Sequence, residues 1–112
     1  MLYHVFMKNT VVAGINFEDI VRIIIEKNGP VEKIIVFGSH ARNEADEYSD
    51  LDLIIVKKTD QSFVERLVSV PRLPVHADVF VYTPEEFEKM KDDENPFIVS
   101  ALKNAITIYE KS

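Results

Sequence analysis

The stretch Gly38–Leu53, GSHARNEADEYSDLDL, places a lone glycine–serine turn ten residues ahead of two aspartates, Asp50 and Asp52, with Leu51 and Leu53 beside them. Successive side chains of a strand point to opposite faces, so residues two apart share a face with α-carbons roughly 6.6 Å apart. Asp50 and Asp52 therefore project together, while Leu51 and Leu53 turn toward a core. A charge inside an apolar strand is rare without a partner. The pair calls for a chemical reason.

Upstream, Lys33-Ile34-Ile35-Val36-Phe37 is short, β-branched and continuous, which predicts a buried strand leading into the turn. Leu51–Val56 predicts a second strand. Val75–Tyr82 predicts a third, in which Val75, Ala77, Val79 and Val81 alternate with His76, Asp78, Phe80 and Tyr82. Asp78 thus lies on the less aliphatic face. If the second and third strands are neighbours, Asp50, Asp52 and Asp78 meet at one patch.

The flanks read as helices. Phe17, Ile20, Val21 and Ile24 follow helical spacing behind Asn16, a fitting N-cap. Asn28-Gly29-Pro30 predicts the stop, with Gly29 suited to a left-handed cap. Phe63, Val64, Leu67 and Val68 predict a short helix. Thr83-Pro84-Glu85-Glu86 carries the marks of a capping box. A further helix is predicted from Asn95-Pro96 to about Asn104, and a last strand over 105–109. Residues 2–7 and 10–15 could pair as a hairpin around Lys8-Asn9. The fold class expected is α/β (α+β), a mixed sheet with helices packed mainly on one face.

At 112 residues, 46% hydrophobic and 29% charged, the chain has the balance of one globular domain spanning residues 1–112. It contains no cysteine, which rules out disulfides and thiolate metal sites and fits a reducing cytoplasm. The N-terminal sequence lacks a signal-peptide layout, and no apolar run is long enough for a bilayer. A cytoplasmic location without membrane association is the expectation. The net charge of −6 and the absence of any basic run longer than Lys57-Lys58 argue against an extended nucleic-acid partner.

Three carboxylates at one patch are unfavourable unless neutralised. Two unit charges about 5 Å apart repel by roughly 3 kcal/mol at an effective dielectric near 20. Hard divalent cations prefer oxygen ligands and complete their shells with water or substrate phosphates. Two ions about 3.5–4 Å apart suit in-line displacement at phosphorus. Ahead of the acids, Gly38 permits a sharp turn, and Ser39-His40-Ala41-Arg42 is predicted to open a short helix whose amides and Ser39 hydroxyl face an anion. Arg42 could add positive charge near a triphosphate or pair with Glu44 or Asp46 on the surface. The segment is neither a Walker loop nor a dinucleotide-binding turn.

Gly38-Ser39, the ten-residue interval, Asp50-Leu51-Asp52-Leu53 and the later Ala77-Asp78-Val79 together resemble the nucleotidyltransferase superfamily that includes DNA polymerase β, and more closely its minimal bacterial and archaeal members. The resemblance covers Val31–Tyr82 well and the flanking helices loosely. It implies that Asp50 and Asp52 bind two Mg²⁺ (or Mn²⁺), that Asp78 assists as metal ligand or base, and that Gly38 and Ser39 hold the triphosphate of ATP or another NTP. Asn43 stands where the family commonly has glycine, a position that asparagine tolerates at positive φ. The resemblance further implies transfer of a nucleoside monophosphate, AMP first among them, to a hydroxyl. The acceptor implied is a tyrosine of a helical HEPN-type partner, the chain acting as antitoxin, with homo-oligomerisation possible. Two alternatives stand beside it: a contact-only antitoxin without catalysis, and a subunit that modifies a small molecule of the aminoglycoside kind.

The remaining candidates read as structural. His4, His40 and His76 lack metal-ligand spacing, and a solvated or hydrogen-bonded role is expected for each. Phe80 and Tyr82 are expected to pack in the core or at its edge rather than stack on a base. Ser39 has no neighbouring histidine in sequence, which disfavours a hydrolase-type nucleophile.

Overall fold

Two apolar strands, Lys33–Phe37 and Leu51–Val56, pair antiparallel at the centre of the sheet. The computed structural model describes residues 3–4, 11–12, 14–46 and 48–111. In chain order its strands are β1 (Tyr3–His4), β2 (Val11–Val12), β3 (Ile15–Asn16), β4 (Lys33–Phe37), β5 (Leu51–Val56), β6 (Ala77–Tyr82) and β7 (Ile106–Lys111). The helices are α1 (Phe17–Asn28), α2 (Phe63–Val68), α3 (Pro84–Asp92) and α4 (Pro96–Leu102). The main sheet runs β1-β7-β4-β5-β6, and all its pairings are antiparallel except β5–β6, which is parallel. A mixed α+β sheet is therefore what forms.

Alternation along β5 sorts the core into two layers. Leu51, Leu53 and Ile55 point to the face covered by α1, whose Phe17, Ile20, Val21 and Ile24 are fully buried. Ile54 and Val56 point to the other face, where Phe87 of α3 and Ile98 and Ala101 of α4 close over them. Helices thus cover both faces, with the longest alone on one. Asp52 shares the α3–α4 face with Ile54.

Local chemistry accounts for the helix ends. The Asn16 side chain accepts hydrogen bonds from the amides of Glu18 (2.9 Å) and Asp19 (3.4 Å), capping α1 as its sequence predicts. Thr83 and Glu86 form the expected capping box on α3, with Pro84 in its first turn. Ser62 and Glu65 form another on α2. Gly29 ends α1 differently from expectation. Its backbone is extended, at φ −70° and ψ 169°, rather than left-handed. Glycine is needed there for room, because a β-carbon would lie 2.5 Å from the Ile25 carbonyl oxygen.

The N-terminal hairpin is not what the described residues form. Tyr3–His4 pair with β7 and Val11–Val12 pair with β3; the rest of residues 2–10 lies outside the described residues. The third predicted strand begins at Ala77 rather than Val75. Among the described residues no helix is long and apolar enough to cross a membrane.

Candidate active site

The parallel register between β5 and β6 sets Leu51 opposite Ala77 and Asp52 opposite Asp78. Neighbouring strands lie about 4.8 Å apart, and in-register residues of a parallel pair share a face. The two carboxylates therefore stand side by side. Asp50 precedes β5 by one residue, where the amide of Leu51 already donates to the His76 carbonyl (2.9 Å), so the alternation carries it to the same side. Asp50 and Asp78 are exposed and Asp52 is partly buried. The row opens to solvent at the start of both strands.

The turn predicted to hold an anion packs directly on this row. Gly38–His40 form a single 3₁₀ turn continuing from β4. Gly38 has φ +73°, which favours glycine, and a β-carbon there would collide with Oδ2 of Asp52. Two independent demands thus select glycine. The turn closes with the amides of Ala41 and Arg42 donating to the Gly38 carbonyl, both at 3.1 Å, and that of Glu44 donating to the Ser39 carbonyl at 2.9 Å. Asn43 takes φ +60°, a left-handed position that an asparagine can occupy.

Electrostatics mark Asp52 as the stressed member. Burial pushes its carboxyl above the ordinary 3.8, and the charge of Asp78 pushes further, with Asp50 adding to it; His40 and Arg42 oppose. The Arg42 side chain is exposed and donates from Nε to Glu44 at 3.2 Å, the surface pairing that its sequence context allowed. The structure therefore brings together Gly38, Ser39, Asp50, Asp52 and Asp78, and turns the Arg42 guanidinium aside toward Glu44.

His40 departs from expectation. It is 2% exposed, and neither ring nitrogen has a hydrogen-bond partner, so it is neither solvated nor satisfied. No spacing in the sequence separates a buried histidine at the end of such a turn from a solvated one. A ring cluster also went unread: Phe37, Phe80 and Phe97 pack with centroids 4.9–6.0 Å apart. Phe37 is the register partner of Asp52, and Phe80 lies two residues past Asp78. Alternation puts both rings on the acids' face, but their meeting with Phe97 depends on where α4 docks.

The donor set suits a hard divalent cation. Paired carboxylates that repel one another gain from a shared positive charge, and such ions take water or phosphate oxygens as further ligands. Among the described residues no three His, Asp or Glu side chains close around one point as a ready cage. The residues that could hold such an ion are Asp52 and Asp78, with Asp50 beside them, and water or phosphate oxygens would have to complete its shell. Asp50 also borders a cavity of about 370 Å³ formed with Gly14, Ser49, Val75 and His76. A cavity of about 310 Å³ between Phe63, Tyr82 and Met90 lies at the far end of β6 from Asp78.

Residues 18–111 match the family described as nucleotidyltransferase domain. This chain belongs to that family. The nucleotidyltransferase domain also shares its fold with a crystal structure from Sulfolobus solfataricus, provisionally named a nucleotidyltransferase, at a TM-score of 0.54 and 23% identity. That likeness covers 81% of this chain and 74% of the other. No curated protein matches this chain significantly.

Proposed function

We propose that this nucleotidyltransferase domain transfers a nucleoside monophosphate, AMP from ATP foremost, to a hydroxyl acceptor in a reaction dependent on divalent metal. The observation that carries the reading is the in-register pair Asp52–Asp78 with the Gly38 turn set against Asp52. A phosphate-binding turn and a cation-binding acid row in contact are what transfer at phosphorus requires. Gly38 and Ser39 hold the β- and γ-phosphates. Asp50 and Asp52 anchor the side of the site nearest the triphosphate, and Asp78 faces the acceptor.

In the transfer, the acceptor oxygen attacks the α-phosphorus and the bond from that phosphorus to the bridging oxygen breaks. Pyrophosphate leaves, and the hydroxyl proton passes to the carboxylate of Asp78. Asp50, Asp52 and Asp78 would hold two Mg²⁺ or Mn²⁺ ions, which would supply the positive charge that the acids and the triphosphate both lack. The exposed acid row leaves room for an acceptor as large as a protein surface. A tyrosine of a helical HEPN-type partner, with this chain as antitoxin, is the acceptor proposed.

The test is Mg²⁺-dependent transfer of α-phosphate label from ATP. Asp52→Asn should lower it by roughly a hundredfold or more, the scale of losing one preorganised charge-stabilising group. Label transfer that persists undiminished in Asp52→Asn refutes the assignment.

A further inference from the structure

The Gly38–His40 turn holds a polar side chain that the reading above leaves without a task. His40 is 2% exposed with both ring nitrogens buried and unpartnered. A buried polar group without a partner is costly to keep, and an apolar residue of similar volume would fill the space at no such cost. The same turn contributes Gly38, whose missing β-carbon makes room for Oδ2 of Asp52. The turn that carries the imidazole therefore packs directly against that carboxylate. A carboxylate that ligates a metal keeps a second oxygen in need of a donor, and such outer hydrogen bonds orient the ligand toward the ion.

We propose that His40 is a positioning residue for Asp52, its ring N–H donating to the Asp52 carboxylate when that carboxylate takes up a divalent cation. The inference rests on the metal-dependent reading of the acid row and adds to it a residue outside the acids and the Gly38–Ser39 pair. No change of protonation is involved, because neutral imidazole carries one N–H in either tautomer. The role also explains why the turn keeps an imidazole where packing alone would accept leucine.

The experiment measures Mn²⁺ affinity by electron paramagnetic resonance in the presence of α,β-methylene-ATP, with melting temperatures of the metal-free proteins beside it. The full chain is compared with Asp52→Asn, His40→Leu, His40→Asn and His40→Gln. Expected are loss of binding in Asp52→Asn and about a tenfold weaker affinity in His40→Leu. The metal-free His40→Leu protein should melt at or above the wild-type temperature, and one of the two amide variants should recover most of the affinity. Wild-type affinity in His40→Leu overturns the role of His40 while leaving the acid row intact. Weak binding in all three His40 variants with a lowered metal-free melting temperature makes the ring a packing element, which also overturns it. Undiminished binding in Asp52→Asn overturns the metal reading itself and the proposal with it.

Discussion

Asp52 is where the chain's chemistry and its stability pull in opposite directions. Its carboxyl titrates above 3.8 in the folded protein because of burial first and the Asp78 charge second. The folded state therefore binds the proton more tightly than the unfolded chain does. Whatever stability the protonated form contributes is fully present below about pH 4 and is lost as pH rises through the folded-state pKa. In metal-free buffer, Asp52→Asn should melt higher than wild type by a margin that opens above about pH 4 and then levels. Added Mg²⁺ should stabilise the wild type more than the variant; equal, pH-independent melting curves would defeat the argument. Gly38 offers a second test at this scale. Gly38→Ala should cost about 1–2 kcal/mol from its left-handed φ alone, more with Asp52 displaced, whereas Asn43→Gly at φ +60° should be near neutral. Urea denaturation of the two variants decides it. Asp52, Asp78 and Gly38 were legible because strand alternation and a lone glycine are local signals. The burial of His40 was not, since it depends on how the turn sits against β5.

The elements were most legible where their ends carry their own chemistry. Asn16, the Thr83–Glu86 box and the β-branched run of β4 all mark boundaries within a few residues, and those elements form where their sequences place them. Pairing was only partly so, because sheet order brings together residues far apart in the chain; the insertion of β7 between β1 and β4 has no local signal. The spacing of Phe63, Val64, Leu67 and Val68 did predict α2, yet all four are exposed. Beside the packing of the Phe63 ring on Tyr82, the helix is fastened by Arg66, whose guanidinium donates to Glu86 Oε1 at 2.6 Å, to Glu86 Oε2 at 3.2 Å, and to the carbonyls of Gln61 (2.9 Å) and Val81 (3.4 Å). This buried cation ties α2 to α3 and covers the edge of the sheet at Val81. Arg66→Ala should cost about 2 kcal/mol in urea denaturation, the range for hydrogen bonds to charged groups. Arg22→Ala, which removes a solvent-exposed pair with Asp19, should cost about 0.5 kcal/mol or less. The hydrogen bond from Arg66 is the main reason that the Glu86 carboxyl is held below its ordinary 4.5. A depressed carboxylate stabilises above its unfolded pKa and loses that contribution as pH falls, so Arg66→Ala should also flatten the acid limb of the stability curve. Equal losses in the two arginine variants would show that burial at α2 is not what matters.

For the molecule as a whole, the decisive property is that the acid row is open. Asp50 and Asp78 are exposed, so water reaches the proposed site as freely as an acceptor does. A transferase that leaves its reacting groups wet must gain orientation and exclusion of water from whatever docks against it. The net charge of −6 makes another polyanion a poor candidate for that surface, which is consistent with the protein acceptor proposed above. On the proposed reading, the domain alone should label tyrosine amide or an aminoglycoside roughly a hundredfold slower than the proposed helical partner, the scale of loss when reacting groups are misplaced. Co-expression followed by intact-mass measurement should show the partner heavier by one AMP, and the shift should vanish when Asp50, Asp52 and Asp78 are all changed to Asn. Protection by that triple variant equal to wild type would instead mark contact-only neutralisation. Efficient labelling of a small acceptor by the domain alone would show that the open row needs no covering chain, and the requirement for a partner would fall while the chemistry at Asp52 stood.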